Sequence, residues 1–354
     1  MKRLSCDVLV SGAGPAGASA ARAAAEAGAE VIVAERRRVV GRPVRCAEYI
    51  PAMLAGQADV GRDYVVQRVE GMRAFLDGEM IQDMEAPGCV INRDVFDQAI
   101  ASAAEKAGAR ILLGSAAVGR EGGDHGPVLL QRADGEETLV DCRVVVGADG
   151  PFSRVAGWMG LPRLRCLPAV QVRLPLLEPM VHTRTYFDDE YPAGYAWLFP
   201  KGEEANVGVG MTRHPGGGGL AAALGRFAGR LAAEGVVGEE ALGRTCGWVP
   251  VARRETFVAG DAVLAGDAAG HAHPITGAGV FQAVMGGAMA GRWAAEAVRK
   301  GDAGRLREYA REWEDFYGDV LVRAQSRREL WERHRGPVGE IIRTCWVGFR
   351  EYYT

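Results

Sequence analysis

At 354 residues and 37.7 kDa the chain exceeds what one ordinary core accommodates and suits two domains sharing an interface. A composition of 48% hydrophobic and 25% charged residues excludes disordered and fibrous classes, and a net charge of −3 gives no electrostatic case for nucleic acid. Forty-nine glycines, against a usual share of ~7%, suggest backbone held close to a ligand or to other backbone. No run approaches the ~18 apolar residues that span a bilayer, and Met1 to Asp7 leads into strand-like sequence without a signal region. Seven scattered cysteines, never spaced C-x-x-C, argue against a disulfide framework or zinc site. The expectation is a cytoplasmic, reduced chain, with peripheral membrane contact left open.

The first chemical signal comes at once. Asp7 to Ser11 is a short apolar strand that runs into Gly12-Ala13-Gly14-Pro15-Ala16-Gly17. An alanine-rich helix follows from Ala18 to Ala27, stopped at Gly28, and then a second strand from Glu30 to Ala34 ends at Glu35. This is a dinucleotide-binding βαβ unit. Gly12 allows the tight turn, Gly14 lets a pyrophosphate approach the backbone, and Gly17 lets helix and strand pack closely. The helix amino terminus offers free N–H groups and a positive dipole end to the phosphates. Glu35 is spaced to accept ribose hydroxyls, and its charge favours an adenosine diphosphate moiety over a 2′-phosphorylated nucleotide.

Further along, residues 67–88 alternate as paired strands about Asp77-Gly78. Val144 to Val146 is another buried strand, ending in Gly147-Ala148-Asp149-Gly150. Four plausible antiparallel strands occupy Ala169 to Pro175, Thr183 to Asp188, Gly194 to Phe199 and Asn206 to Met211. A glycine-rich loop from Arg213 to Leu220 precedes a helix from Ala221 to Glu234. Ala262 to Ala265 is a third glycine-terminated strand, ending in Gly266-Asp267. It leads through His271-Ala272-His273-Pro274-Ile275-Thr276-Gly277-Ala278-Gly279 into a small-residue helix reaching about Lys300. Three such strand ends suggest a ligand longer than one nucleotide lying across the sheet. The tail from Asp302 carries ten arginines, ten acids and nine aromatics. It reads either as helices docked with a salt-bridged outer face, or as an aromatic lip (Trp331, Trp346, Phe349, Tyr352 and Tyr353) touching lipid.

Together these segments resemble the flavoprotein fold of the p-hydroxybenzoate-hydroxylase-like enzymes. The expected class is α/β: a Rossmann-like, three-layer β/β/α FAD-binding domain, an antiparallel-sheet substrate domain and a helical carboxy-terminal tail. The domains would be 1–66, 89–165 and 251–300 for FAD, 67–88 and 166–250 for substrate, and 301–354 for the tail. The resemblance implies that Gly12, Gly14, Pro15, Ala16, Gly17 and Glu35 hold the ADP half of FAD. Arg93, in Asn92-Arg93-Asp94-Val95-Phe96-Asp97, would lie near the flavin. Asp149 and Gly150 would sit on the pyrophosphate and nucleotide side. Gly266 and Asp267 would meet the ribityl chain. Pro274, Gly277, Ala278 and Gly279 would bring backbone N–H groups to the flavin's pyrimidine edge, stabilising negative charge there.

Two segments narrow the resemblance. Arg45-Cys46-Ala47-Glu48 and Tyr195-Ala196-Trp197-Leu198-Phe199-Pro200 are similar to the R-C-A-E and Y-x-W-x-F-P signatures of the geranylgeranyl reductase family. That family saturates isolated double bonds in prenyl chains of lipids or pigments. Carried over, Cys46 would face flavin and substrate, Arg36, Arg45 and Ala47 would approach the cofactor, and Tyr195, Trp197 and Phe199 would line an apolar tunnel. Cys46, or a water near Glu48, would supply the proton that an alkene needs beside the hydride. Cys46 also reads as a small buried hydrophobe. His271 and His273 lack a third ligand in pattern, so no metal is expected, and His273 is read as a loop residue near substrate. The electron donor is open: NADPH, NADH or a ferredoxin-type protein. The competing readings are an FAD-dependent monooxygenase and a flavin-holding accessory protein.

Overall fold

The computed structural model describes residues 2–123, 125–212 and 219–354. The expected glycine-rich loop at Arg213 to Leu220 thus falls mostly outside the described residues. The chain opens with β1 (Lys2–Ser11), α1 (Pro15–Glu26) and β2 (Val31–Glu35). Next come β3 (Tyr49–Pro51), α2 (Leu54–Gln57), β4 (Val65–Leu76), β5 (Glu79–Ile91) and α3 (Arg93–Lys106). β6 (Arg110–Leu113), β7 (Ser115–Arg120), β8 (Val128–Arg132) and β9 (Glu137–Gly147) precede the short α4 (Arg154–Trp158). β10 (Cys166–Pro175), β11 (His182–Phe187), β12 (Tyr195–Lys201) and β13 (Glu204–Gly210) lead to α5 (Leu220–Ala233) and β14 (Gly243–Pro250). β15 (Val258–Ala259), β16 (Ala262–Leu264) and α6 (Val280–Lys300) are followed by α7 (Leu306–Trp313), α8 (Asp319–Arg333) and α9 (Ile342–Cys345).

The first sheet runs β16-β9-β1-β2-β6, all parallel, with β15 antiparallel at its edge. β7, β8 and the first half of β9 form an antiparallel meander growing from it. Val8 to Val10, Val144 to Val146 and Val263 to Leu264 are all buried. Such continuous apolar runs belong to parallel strands covered on both faces. Helices α1 and α6 cross closely because Gly287 and Gly291 lie against the α1 backbone; a Cβ at either would overlap the carbonyl oxygens of Ala16 and Ala20. The three-layer β/β/α expectation therefore holds.

The second sheet runs β14-β10-β13-β12-β11-β4-β5-β3, antiparallel except for β11 beside β4. It claims more of the chain than the sequence suggested. β3 pairs with β5 (Tyr49↔Val90), so residues 49–51, and β5 through Ile91, join this sheet rather than the nucleotide-binding one. β14, absent from the sequence reading, pairs along β10 from Cys166↔Pro250 to Arg173↔Gly243. Its residues Arg244, Cys246 and Trp248 alternate outward as an exposed edge, which leaves no apolar stripe to read.

The tail follows the first of its two readings, helices docked with a salt-bridged outer face. Trp331, Trp346, Phe349 and Tyr352 are buried in a cluster with Ala74, Phe187 and Ile275, and of the five aromatics only Tyr353 is exposed, at 57%. Four of the five residues of the alternative, lipid-facing reading are core. The outer face carries the anticipated ion pairs, among them Arg311–Glu308, Arg333–Glu329 and Arg343–Glu351. No helix among the described residues is long and apolar enough to cross a membrane.

Candidate active site

The nucleotide cradle forms where β1 meets α1. Gly12 has φ +99°, and a Cβ there would lie 2.5 Å from the Ala148 carbonyl oxygen. A Cβ on Gly17 would overlap the Gly12 carbonyl oxygen, whereas Gly14, capping α1 ahead of Pro15, opens onto free space. The loop is thus pressed shut on its protein side and open on its ligand side. Glu35 is buried and accepts the backbone N–H groups of Ala13 and Arg37, both at 2.8 Å, which fixes the carboxylate at the end of β2. Arg36 and Arg45 are exposed, both near Arg37.

The other strand ends converge on the same cradle. Asp149 accepts the Arg154 N–H at 2.7 Å with one oxygen, capping α4, and its second oxygen is buried without a partner among the described residues. Gly150 beside it has φ +87° and opens onto free space. Gly266, at φ +63°, brings the end of β16 against Ala16, where a Cβ would lie 2.8 Å away from the Ala16 methyl. No hydrogen bond reaches the Asp267 carboxylate from the described residues, and burial raises its pKa to about 6, with Arg93 pulling the other way. Open glycine backbone, helix N–H groups and an unpartnered carboxylate are the donor and acceptor set that a flavin dinucleotide requires. The residues present fit FAD.

Cys46 and Glu48 lie together but do different work. Cys46 is half-buried, and its sulphur accepts the Glu48 N–H at 3.2 Å. Arg93 bonds Asp97 at 2.7 Å and also faces the Cys46 sulphur. Burial opposes the Arg93 charge, but Asp97 and then Cys46 outweigh it and raise the guanidinium's pKa. Glu48 was expected beside the proton source. Instead its carboxylate is buried and filled: one oxygen accepts the Arg93 backbone N–H at 3.0 Å, the other Lys201 Nζ at 2.6 Å and Asn206 Nδ2 at 3.0 Å. It holds the loop, at the unusual φ of +70°.

His273 was expected near substrate and is found bracing a loop. Its Nδ1 accepts the N–H groups of Ile275 (3.4 Å) and Thr276 (3.2 Å), and its Nε2 faces the Tyr352 hydroxyl at 3.3 Å. Backbone bonds from His273 N to Ala278 O and from Gly277 N to His273 O close the 273–279 loop on itself. His271 stacks on Trp313 with ring centroids 3.5 Å apart, and its Nδ1 accepts the Gly266 N–H. Burial lowers His271 to about 3 and His273 to about 4, so both rings are uncharged near neutral pH.

Tyr195, Trp197, Phe199 and Lys201 alternate along β12 and face the two loops. The Tyr195 hydroxyl donates to the Thr276 carbonyl at 2.5 Å. The Trp197 indole N–H donates to Gln171 Oε1 at 3.1 Å, and Phe199 packs on Tyr49 with centroids 6.0 Å apart. Trp197 and Phe199 are buried with Val69 and Val90, and Ala47 and Tyr195 pack on that cluster.

Two family models match: an FAD-binding domain over residues 5–166 and a geranylgeranyl reductase catalytic domain over residues 176–228. The digeranylgeranylglycerophospholipid reductase of Methanothrix thermoacetophila is 35% identical, over 93% of this chain and 88% of its own length. This chain belongs to the geranylgeranyl reductase family. The Methanocaldococcus jannaschii reductase of the same name is 32% identical, over 92% and 87%. A geranylgeranyl bacteriochlorophyll reductase-like structure from Thermoplasma acidophilum superposes with a TM-score of 0.84 at 28% identity, covering 94% of this chain and 89% of its own. PqsL of Pseudomonas aeruginosa, a probable FAD-dependent monooxygenase, gives 0.70 at 20% identity over 93% and 97%, and shares the fold alone. Like its family, the geranylgeranyl reductase homologue described here is an FAD-dependent oxidoreductase. In this family member sequence reasoning missed Gln171, Lys201 and Asn206. Lys201 was within reach, because it continues the alternation of Tyr195, Trp197 and Phe199 by one more step.

Proposed function

We propose that this flavoenzyme saturates isolated C=C bonds in the prenyl chains of a membrane glycerolipid, with Cys46 as proton donor. The observation that carries the reading is the half-buried Cys46 thiol beside the Arg93 guanidinium, with the next residue, Ala47, packed on the apolar cluster of Trp197 and Phe199. Bound and reduced, FAD supplies the hydride. An isolated alkene has no carbonyl to carry developing charge, so the protein must align it, exclude water and protonate the second carbon. The buried ring faces of Trp197 and Phe199 suit a prenyl chain. The Cys46 S–H bond breaks as its proton passes to carbon, and the thiolate left behind sits next to a permanent cation until solvent returns the proton. An external nicotinamide nucleotide or ferredoxin-type protein restores the reduced cofactor. Reaching such a lipid calls for peripheral contact with a membrane.

The test is anaerobic. Reduced, FAD-loaded protein is mixed with a geranylgeranylated glycerophospholipid and the lipid is weighed by mass spectrometry. Hydrogens gained without oxygen support the reading, and Cys46→Ala should cut the rate by about 100-fold. Unchanged lipid, with the flavin reoxidised only on admitting air, would overturn it in favour of oxygen chemistry.

A further inference from the structure

Trp197 has a bonding role besides the ring face it offers to a prenyl chain. Trp197 on β12, Gly208 on β13 and Gln171 on β10 share one register row, Trp197↔Gly208 and Gly208↔Gln171. Because Gly208 has no side chain, the indole lies flat across β13; a Cβ there would overlap the ring. The indole N–H thereby reaches Gln171 Oε1, two strands away, at 3.1 Å. That bond orients the amide, and Gln171 Nε2 donates to the Cys46 carbonyl at 3.3 Å. Gln171 is itself buried, 5% exposed. Both ends of its side chain are spent on this relay, and neither bond is needed to pair the strands. Asn206, from the same sheet, holds the next carbonyl, that of Ala47, at 3.0 Å.

We propose that Gln171 is a positioning residue for Cys46, set in place by Trp197 across the gap at Gly208. The proposal rests on the reading that Cys46 acts in the reaction, but its geometry is testable without turnover. A buried amide with two bonds fixes a backbone carbonyl more tightly than packing alone, because breaking either bond strands a polar group away from water. The row thus transmits the rigidity of a three-strand sheet to the Cys46 loop.

The experiment uses the FAD-loaded full chain, with iodoacetamide as probe and peptide mass spectrometry to follow Cys46 separately from the other six cysteines. In Gln171→Leu the rate of Cys46 alkylation should rise roughly fivefold, the worth of one net hydrogen bond. Gly208→Ala, which displaces the indole without touching Gln171, should move it the same way. FAD stoichiometry should stay at the wild-type value in both. For prenyl reduction by Gln171→Leu, which leaves the Trp197 ring in place, kcat should fall while KM stays unchanged. Alkylation of Cys46 at the wild-type rate in either folded variant overturns the proposal, even if melting temperature falls, because a merely structural role would change stability alone. Should Cys46→Ala keep full reductase activity, the catalytic reading fails, and the alkylation result still decides the positioning role.

Discussion

Glu48 shows at the scale of one residue how a conspicuous acid becomes a structural one. Its carboxylate is matched to Lys201, and both side chains are buried. Removing one partner of a buried pair leaves the other charge uncompensated, so Glu48→Gln should lower stability by ~3 kcal/mol. Adding Lys201→Met should restore part of that loss, which urea midpoints of the single and double variants would measure. The buried histidines set a pH dependence. They sit at about 3 and 4, against 6.5 in the unfolded chain. As pH falls from 6.5 towards 4 the unfolded state binds more protons, and folding stability declines. Asp267, raised to about 6 by burial, acts in the opposite sense, because below 6 the folded state holds the extra proton. Asp97 and Asp149 are raised by burial too and work with Asp267. The histidines' own contribution, a drop in the urea midpoint across this window, is therefore read as the difference between wild type and a histidine variant. His271→Phe, which keeps a ring on Trp313, should flatten the drop. The sequence marked these histidines by their neighbourhood to Gly266-Asp267. It carried no sign that the Nδ1 atom of each ring accepts a backbone N–H, because those bonds depend on how the loop closes.

The α1–α6 crossing is where two elements most constrain each other. Gly287→Ala would drive a methyl into the Ala16 carbonyl, in the first turn of the helix proposed to face the phosphates. A cost of ~2 kcal/mol and loss of bound FAD are expected together, read from the melting curve and the flavin absorbance per protein. Gly225→Ala on α5, where a Cβ meets nothing, is the control and should not destabilise. At this scale the parallel sheet was legible, since Val8 to Val10 and Val144 to Val146 are apolar at every position and end in glycine turns. β3 and β14 were not. Three residues are too few for a period, and β14 is an edge whose outward side chains, Arg244, Cys246 and Trp248, mix charge with apolar bulk. Nor did the alternation of β12 disclose that its buried face meets loops as well as core.

Across the whole molecule, the tail completes the second sheet. Trp346 stacks edge-on against Phe187 at 4.8 Å and against Tyr195 at 5.3 Å, and Gln82 on β5 bonds the Gly348 carbonyl. Deleting residues 337–354 would bare Phe187, Trp331 and Ala74 together. Such a truncation should lower the melting temperature by more than 10 °C or abolish cooperative unfolding, with or without detergent, on the order expected for several lost aromatic anchors. Composition alone did not separate core from membrane lip here, because aromatic rings with polar tips suit both settings.

β12 carries a last implication for how such a protein can change. Its successive side chains face opposite ways, so Tyr195, Trp197, Phe199 and Lys201 meet the 273–279 loop, Gln171, Tyr49 and Glu48 only while all four stay in phase. Substitutions at one position leave the others where they are. Loss of a single residue from the middle of the strand turns half the set away, so insertions and deletions are tolerated there only in pairs. The strand behaves as a reading frame in which residue count, as much as residue identity, encodes the site.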